Sequence, residues 1–323
     1  MKRFAWLLAL CAAWTCGPAS AQQWPDRPIR WIVPTAAGGP LDAIARQVAQ
    51  EVGKKLGQPV VVENRPGGGG SIGAGVVAKA APDGYTFLFS QADSLINVVS
   101  LIKDLPYDSM RDFALVTQVS QTGAVLMANP DLGGASLNDV LAAARAKSAP
   151  LSYGSWGPGS YTHILGETLA SRSGAPLLHV PYKGGAPAIQ DFLGRQIALA
   201  FAPANLAIQF AQKGQAKLLA ISGPRRSPLL PDLPTFAEQG FADPIFQISI
   251  WFGLSAPRGT PGAVIGRMHE TVAAAMQEPA VAKFVAEGGG EVLASSPQAF
   301  RAAFEQEYRL VNLAIKQAGV VAE

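Results

Sequence analysis

The sequence predicts an α/β protein built as two lobes. Short apolar strands alternate with amphipathic helical stretches along almost the whole chain, the pattern of βαβ units. The strands are continuously apolar rather than alternating, which fits a largely parallel sheet covered on both faces. Two such units follow one another, and helices are left over at the C-terminus.

The first unit reads as strand 29–34, helix 40–55, strand 60–63, helix 76–80 and strand 85–90. Strands 115–120 and 124–128 follow back to back. The second unit continues with helix 138–147, strand 151–154, helix 163–172, strand 178–182, helix 186–193, strand 197–202, helix 206–212 and strand 217–222. A strand returns at 248–256, and two helices close the chain at 261–276 and 297–317. The crossings between lobes are expected near 117–122 and 247–254. Lobe 1 is therefore placed at 22–120 and 250–323, and lobe 2 at 121–249. The four prolines of 223–234 mark a rigid surface loop, not a linker.

The N-terminus reads as a secretory signal over residues 1–21. Lys2 and Arg3 precede an apolar run too short to span a bilayer, and Ala19-Ser20-Ala21 offers a small-x-small cleavage site. Thr15 before Cys16 fits a lipoprotein signal poorly. The expected location is the periplasm, with cleavage after Ala21. Both cysteines, Cys11 and Cys16, fall in this leader, so the mature chain has no disulfide to rely on. Taking 21 residues from 323 leaves 302, ample for two apolar cores. Taking Lys2 and Arg3 from 26 basic residues leaves 24 against 23 acidic ones, so nothing points to nucleic acid.

Two strand-to-helix corners carry the chemistry. In the first, Thr35-Ala36-Ala37-Gly38-Gly39 joins a strand to a helix that opens at Pro40. Proline suits the first helical position because its missing N–H would be unpaired there. Asp42 can reach back to the cap backbone. Free amides and a helix dipole at the C-terminal end of a parallel strand suit an anion. A plain tight turn explains the same spacing. In the second corner, Ser155-Trp156-Gly157-Pro158-Gly159-Ser160 precedes the helix near His163, with Ser160 as N-cap. Here the glycines are expected to expose amides, and Ser155 to offer a hydroxyl. A third corner, through Lys183-Gly184-Gly185, could place charge at the rim, although a solvated lysine is the plainer reading.

These corners sit among ordered motifs. Trp24-Pro25-Asp26-Arg27-Pro28 leads into the first corner, and Leu56-Gly57-Gln58-Pro59, Asn64-Arg65-Pro66-Gly67 and Ala81-Pro82-Asp83-Gly84-Tyr85 follow. Leu105-Pro106-Tyr107-Asp108, Val180-Pro181-Tyr182-Lys183-Gly184 and Leu230-Pro231-Asp232-Leu233-Pro234 complete the set. The mature chain throughout resembles the Bug receptors, the extracytoplasmic binding proteins of tripartite tricarboxylate transporters.

The resemblance implies a two-lobed periplasmic-binding-protein fold (type II) whose lobes close on a small organic carboxylate. Di- and tricarboxylates, acidic amino acids and aromatic carboxylates all occur among the family's ligands. It implies membrane subunits of such a transporter as partners, a monomer, no cofactor and no enzymatic role. In the family the loops matching Thr35–Asp42 and Ser155–Ser160 grip the ligand carboxylate. The expected ligand-binding residues are Thr35, Ala37, Gly38, Gly39, Asp42, Ser155, Trp156, Gly157, Ser160 and His163, with Ala202 and Asn205 added at the edge of a strand, Asn205 from its place after the strand end. The family commonly has an aromatic residue where Thr35 stands, and acids where Ala198 and Ala202 stand. Without those acids nothing in lobe 2 pairs with an ammonium, so a non-amino carboxylate is expected. Trp156 could offer a ring face to an aromatic ligand. A receptor for a sensor kinase would read identically.

Other signals carry less. Gly68-x-Gly70-x-x-Gly73, with Asp93 twenty residues on, matches a dinucleotide fingerprint, but Asn64-Arg65-Pro66-Gly67 separates it from the strand. A periplasmic hydrolase would need a nucleophilic elbow, and Gly154-Ser155-Trp156-Gly157 lacks its spacing. His163 and Glu167 share a helix face, yet no third metal ligand is marked, and His179 reads as structural.

Overall fold

A computed structural model describes residues 24–146 and 149–318. The expected leader, residues 1–21, lies outside them. The first sheet contains β1 (Ile29–Val33), β2 (Val60–Asn64) and β3 (Thr86–Gln91), joined by α1 (Pro40–Leu56) and α2 (Ser71–Ala78). After the short α3 (Asn97–Leu101), β4 (Phe113–Thr122) completes the first pass through this sheet. The chain crosses at Gly123 into a second sheet made of β5 (Ala124–Ala128), β6 (Leu151–Ser155), β7 (Leu177–Pro181), β8 (Leu199–Pro203) and β9 (Lys217–Ile221). Between these strands lie α4 (Leu137–Arg145), α5 (Tyr161–Ser173), α6 (Gly185–Leu193) and α7 (Ala204–Gln212). β10 (Ile250–Pro257) returns to the first sheet, followed by α8 (Gly262–Met276), α9 (Pro279–Glu287), β11 (Glu291–Val292) and α10 (Pro297–Ala318).

The strand orders are β11-β4-β10-β3-β1-β2 and β7-β6-β8-β5-β9. The βαβ strands run parallel, β1 with β2 and β3, and β6 with β7 and β8. The crossing strands are antiparallel to their neighbours: β10 to both β3 and β4, and β5 to both β8 and β9. The sheets are therefore more mixed than the apolar runs suggest. A strand that enters a lobe directly needs no crossover helix to return it in parallel.

Helix α1 shows why these segments fold as they do. Leu41, Ile44, Ala45, Val48 and Val52 recur at helical spacing and are all buried, and Gly57 ends the helix in the left-handed conformation. This stripe packs with Met268, Val272 and Met276 of α8 and Val281 of α9 against Trp31 and Phe89, whose rings stack at 5.4 Å. On the opposite side a single core runs through both lobes, from Leu88 and Phe113 to Leu126, Tyr153 and Leu165, and includes Phe300 and Phe304 of α10. Lobe 2 covers its other sheet face with a smaller core of Val125, Phe192, Ala200 and Ala202.

Three helices close the described chain rather than the two expected: α8 ends at Met276 as expected, and the unexpected α9 starts anew at Pro279, a residue suited to the first helical position. Helix α2 begins at Ser71, five residues before its expected start. Gly73 and Gly75 hide it from propensity, yet both are sites of close approach. A Cβ at Gly73 would lie 2.9 Å from the Pro34 Cα, and one at Gly75 would lie 2.8 Å from the Pro106 ring.

Candidate functional site

The C-terminal ends of β1 and β3 lie side by side, with Ile32 in register with Leu88. The first corner therefore opens beside Gln91, where ligands bind in open α/β sheets. Gly38 takes φ +84°, a left-handed turn that favours glycine. Its N–H donates to Asp42 Oδ2 at 2.9 Å. Asn64 Nδ2 donates to Asp42 Oδ1 at 2.9 Å and to the Thr35 carbonyl at 3.1 Å, and Arg46 pairs with the same carboxylate. Burial alone would raise the pKa of Asp42. The bonds from Arg46, Gly38 and Asn64 outweigh that and hold it below the usual carboxylate range.

Asp42 thus braces the corner from behind; its oxygens are already engaged. Ala36 and Ala37 are exposed, and their amides meet no hydrogen-bond acceptor among the described residues. Gly39 is the N-cap of α1 and has no side chain to cover the helix end. The Thr35 hydroxyl is buried and unpartnered.

The second corner is built differently from the expectation of exposed amides. Trp156 N–H donates to Thr162 Oγ1, Gly157 N–H to Ser155 Oγ, Gly159 N–H to His163 Nδ1 and Ser160 N–H to the Gly157 carbonyl. Ser160 caps α5 by accepting from His163 N–H, a contribution of about 1 kcal/mol. These amides are used up because glycine turns at 157 and 159, with φ +131° and +71°, fold the loop back on itself. Ser155 is fully buried, and its hydroxyl lies 2.7 Å from His179 Nε2.

His163 and His179 stack at 3.8 Å with nearly parallel planes, and Tyr153 also stacks on His179, at 5.2 Å. Burial lowers the pKa of each histidine to about 4, so both are neutral at pH 7. The structure brings Glu167 to the pair, and Tyr153 Oη donates to it at 2.6 Å. The third residue that sequence spacing left unmarked is thus His179. Parallel imidazoles send their ring lone pairs along parallel planes rather than toward one ion. In this arrangement the trio acts as a brace for the second corner.

The second corner meets lobe 1. A Cβ added at Gly159 of lobe 2 would overlap Leu101 of lobe 1. Tyr161 N–H, in the first turn of α5, points to Asp93 Oδ1 of lobe 1 at 3.4 Å. A cavity at the junction is lined by Gln91, Asp93, Trp156, Tyr161, Ser249 and Glu307, among others. Trp156 is half-buried there, with its indole N–H donating to the Phe201 carbonyl.

Ala202 stands apart from the site. Strand alternation turns Phe201 toward the shared core and Ala202 into the smaller core of lobe 2, where it is fully buried. Its methyl is packing, not lining. Asn205 lies in the first turn of α7 with Oδ1 buried and unpartnered, close to Gly289 of lobe 1.

The model of the tripartite tricarboxylate transporter family receptor matches residues 44–320. The chain belongs to that receptor family. It is 37% identical to Protein BugT of Bordetella pertussis over 291 residues, covering 90% of this chain and 89% of BugT. Among solved structures, periplasmic binding protein BugD is 34% identical with a TM-score of 0.81, covering 93% of this chain and all of BugD. R. palustris Rpa4515 with adipate is 31% identical with a TM-score of 0.83, again over 93% of this chain and all of the neighbour. The receptor has the two-lobed periplasmic-binding-protein fold of these relatives.

Sequence reasoning missed Leu101, Asp93 and Glu307. Leu101 carries no motif, and Asp93 enters only as the acid of the dinucleotide-like pattern, not as a residue of the cleft. Glu307 does leave a signal: it falls on the buried stripe of α10, between Phe304 and Val311.

Proposed function

We propose that this receptor is a periplasmic solute-binding protein that captures a small organic carboxylate by lobe closure and delivers it to the membrane subunits of a tripartite tricarboxylate transporter. The observation that carries the reading is the first corner. The unpartnered amides of Ala36 and Ala37 stand just before α1, at the C-terminal end of β1. Such amides stabilise a carboxylate through hydrogen bonds to a charged acceptor. The adipate of the R. palustris neighbour supports the ligand class. No helix among the described residues is long and apolar enough to cross a membrane. The receptor acts as a monomer, and ligand contacts from both lobes shift the population toward the closed form.

One contact bears on the hydrolase alternative. Ser155 and His179 are within hydrogen-bond reach, as a nucleophile and base would be. Ser155 is fully buried beneath its own loop, so its oxygen is shielded from any substrate in the cleft. The pair holds the loop.

The test is a thermal-shift screen of residues 22–323 against mono-, di-, tri- and aromatic carboxylates, amino acids among them. A ligand at about 100 times its Kd stabilises by roughly 2.7 kcal/mol. The reading expects a clear shift, with the acid recovered chemically intact. No shift from any acid, or turnover of the bound one, contradicts it.

A further inference from the structure

We propose that the interlobe cavity selects a monocarboxylate bearing a cationic nitrogen, an ω-amino acid or a betaine, by holding that nitrogen between Asp93, Glu307 and the Trp156 ring. The inference rests on the receptor reading above and deepens it. It also reverses the expectation of a non-amino ligand, which rested on the alanines at 198 and 202. The structure places acids elsewhere, at the lobe junction.

Asp93 comes from lobe 1, just after β3, and Glu307 from α10; both line one cavity with no lysine, arginine or histidine among its lining residues. Asp93 accepts from Gln91 Nε2 and Asn97 Nδ2, each at 2.7 Å, and lies 3.4 Å from Tyr161 N–H. Those donors favour its ionised form. Glu307 is nine-tenths buried. Trp251 Nε1 donates to one of its oxygens at 2.6 Å, and the other oxygen has no hydrogen-bond partner among the described residues.

Two neighbouring carboxyls in a closed cleft repel when both ionise, and burial opposes charging either one. In the unliganded protein burial accordingly raises Asp93 to about 6 and Glu307 to about 8. A cation between them relieves both costs at once. Trp156 lines the same cavity, and an indole ring attracts ammonium and especially alkylated ammonium groups. A second ligand carboxylate placed there would instead meet Asp93 as a like charge. β1, which leads into the first corner, pairs with β3, which ends at Gln91 in the cavity wall; the proposed ligand puts its carboxylate on the Ala36 and Ala37 amides and its nitrogen in the cavity.

The test is calorimetric titration at pH 7.5 with butyrate, succinate, 4-aminobutyrate and 4-(trimethylammonio)butyrate. One or both cationic ligands should bind at least about tenfold tighter than butyrate and succinate. In Glu307→Gln and Asp93→Asn, with folding checked by circular dichroism, the preference for the cationic ligand over butyrate should shrink to roughly twofold. If succinate or butyrate binds as tightly as the cationic ligands, or if both variants keep the preference, the inference is overturned while the carboxylate receptor stands. If no acid binds, with or without nitrogen, both readings fall.

Discussion

The hydroxyl of Ser155 and Nε2 of His179 lie 2.7 Å apart and fasten the second corner to the neighbouring strand. His163 stacks on His179 and accepts from Gly159 N–H, so two neutral imidazoles hold both ends of the loop. Burial depresses both pKa values to about 4, with Glu167 alone opposing it at His179. A base whose folded pKa lies below its unfolded value makes its contribution fully above the unfolded pKa of 6.5 and loses it as pH falls toward 4. Melting temperature should therefore drop by about 5 °C or more across that window, beyond the fall seen in a His163→Phe/His179→Phe variant. Parallel pH profiles for the two proteins would contradict the brace.

Lobe closure can be probed at Gly159 and Leu101. Gly159→Ala places a methyl where the Leu101 side chain sits. Ligand affinity should fall about tenfold, and Leu101→Ala on the same background should restore most of it, as expected for two residues in contact. Independent, additive effects in calorimetric titration would show that the two do not meet on closing.

Asp42 gives a stability prediction. Asp42→Ala leaves Gly38 N–H and the Asn64 amide without their acceptor. The cost should be about 2–3 kcal/mol in urea unfolding at an unchanged m-value, because the lost bonds are to a charged group. Ligand affinity should fall with it, since the corner that presents the Ala36 and Ala37 amides is no longer fixed. A change below about 0.5 kcal/mol, the usual range for a surface substitution, would mean the carboxylate is not the anchor described.

Glu307 predicts the opposite pH dependence to the histidines. Its folded pKa is raised from 4.5 to about 8 by burial, with Asp93 adding like-charge repulsion and Trp251 partly opposing. The corresponding stability is full below 4.5 and is lost as pH rises through 8. Unliganded wild type should lose melting temperature between pH 6 and 9 relative to Glu307→Gln, as followed by calorimetry. A constant difference between the two would place the carboxyl in a wetter environment.

Much of the fold was legible because strand and helix signals act locally. Pro40 after Gly38-Gly39 marked the start of α1, and Ser160 marked the cap of α5. Signals failed where tertiary packing overrode propensity. Gly73 and Gly75 look helix-breaking, yet α2 needs their bareness against Pro34 and Pro106. The antiparallel direction of β10 also depends on which lobe its chain has just left. In the site, the strand-end corners were visible as spacing, but not which amides would be free. Gly157 and Gly159 resemble Gly38 and Gly39 in sequence, and only the side chains of Ser155, Thr162 and His163 distinguish a filled loop from an open one. Asp93 and Glu307 are far apart along the chain, and no local pattern signals that they share a cavity.

The central claim is that a carboxylate is held by the first corner. It is tested most directly by titrating the receptor calorimetrically with its best-binding acid and with the methyl ester of that acid. The account predicts saturable one-to-one binding of the acid and a loss of at least about a hundredfold on esterification, because hydrogen bonds to the charged acceptor are removed. An ester that binds as tightly as the acid would contradict it.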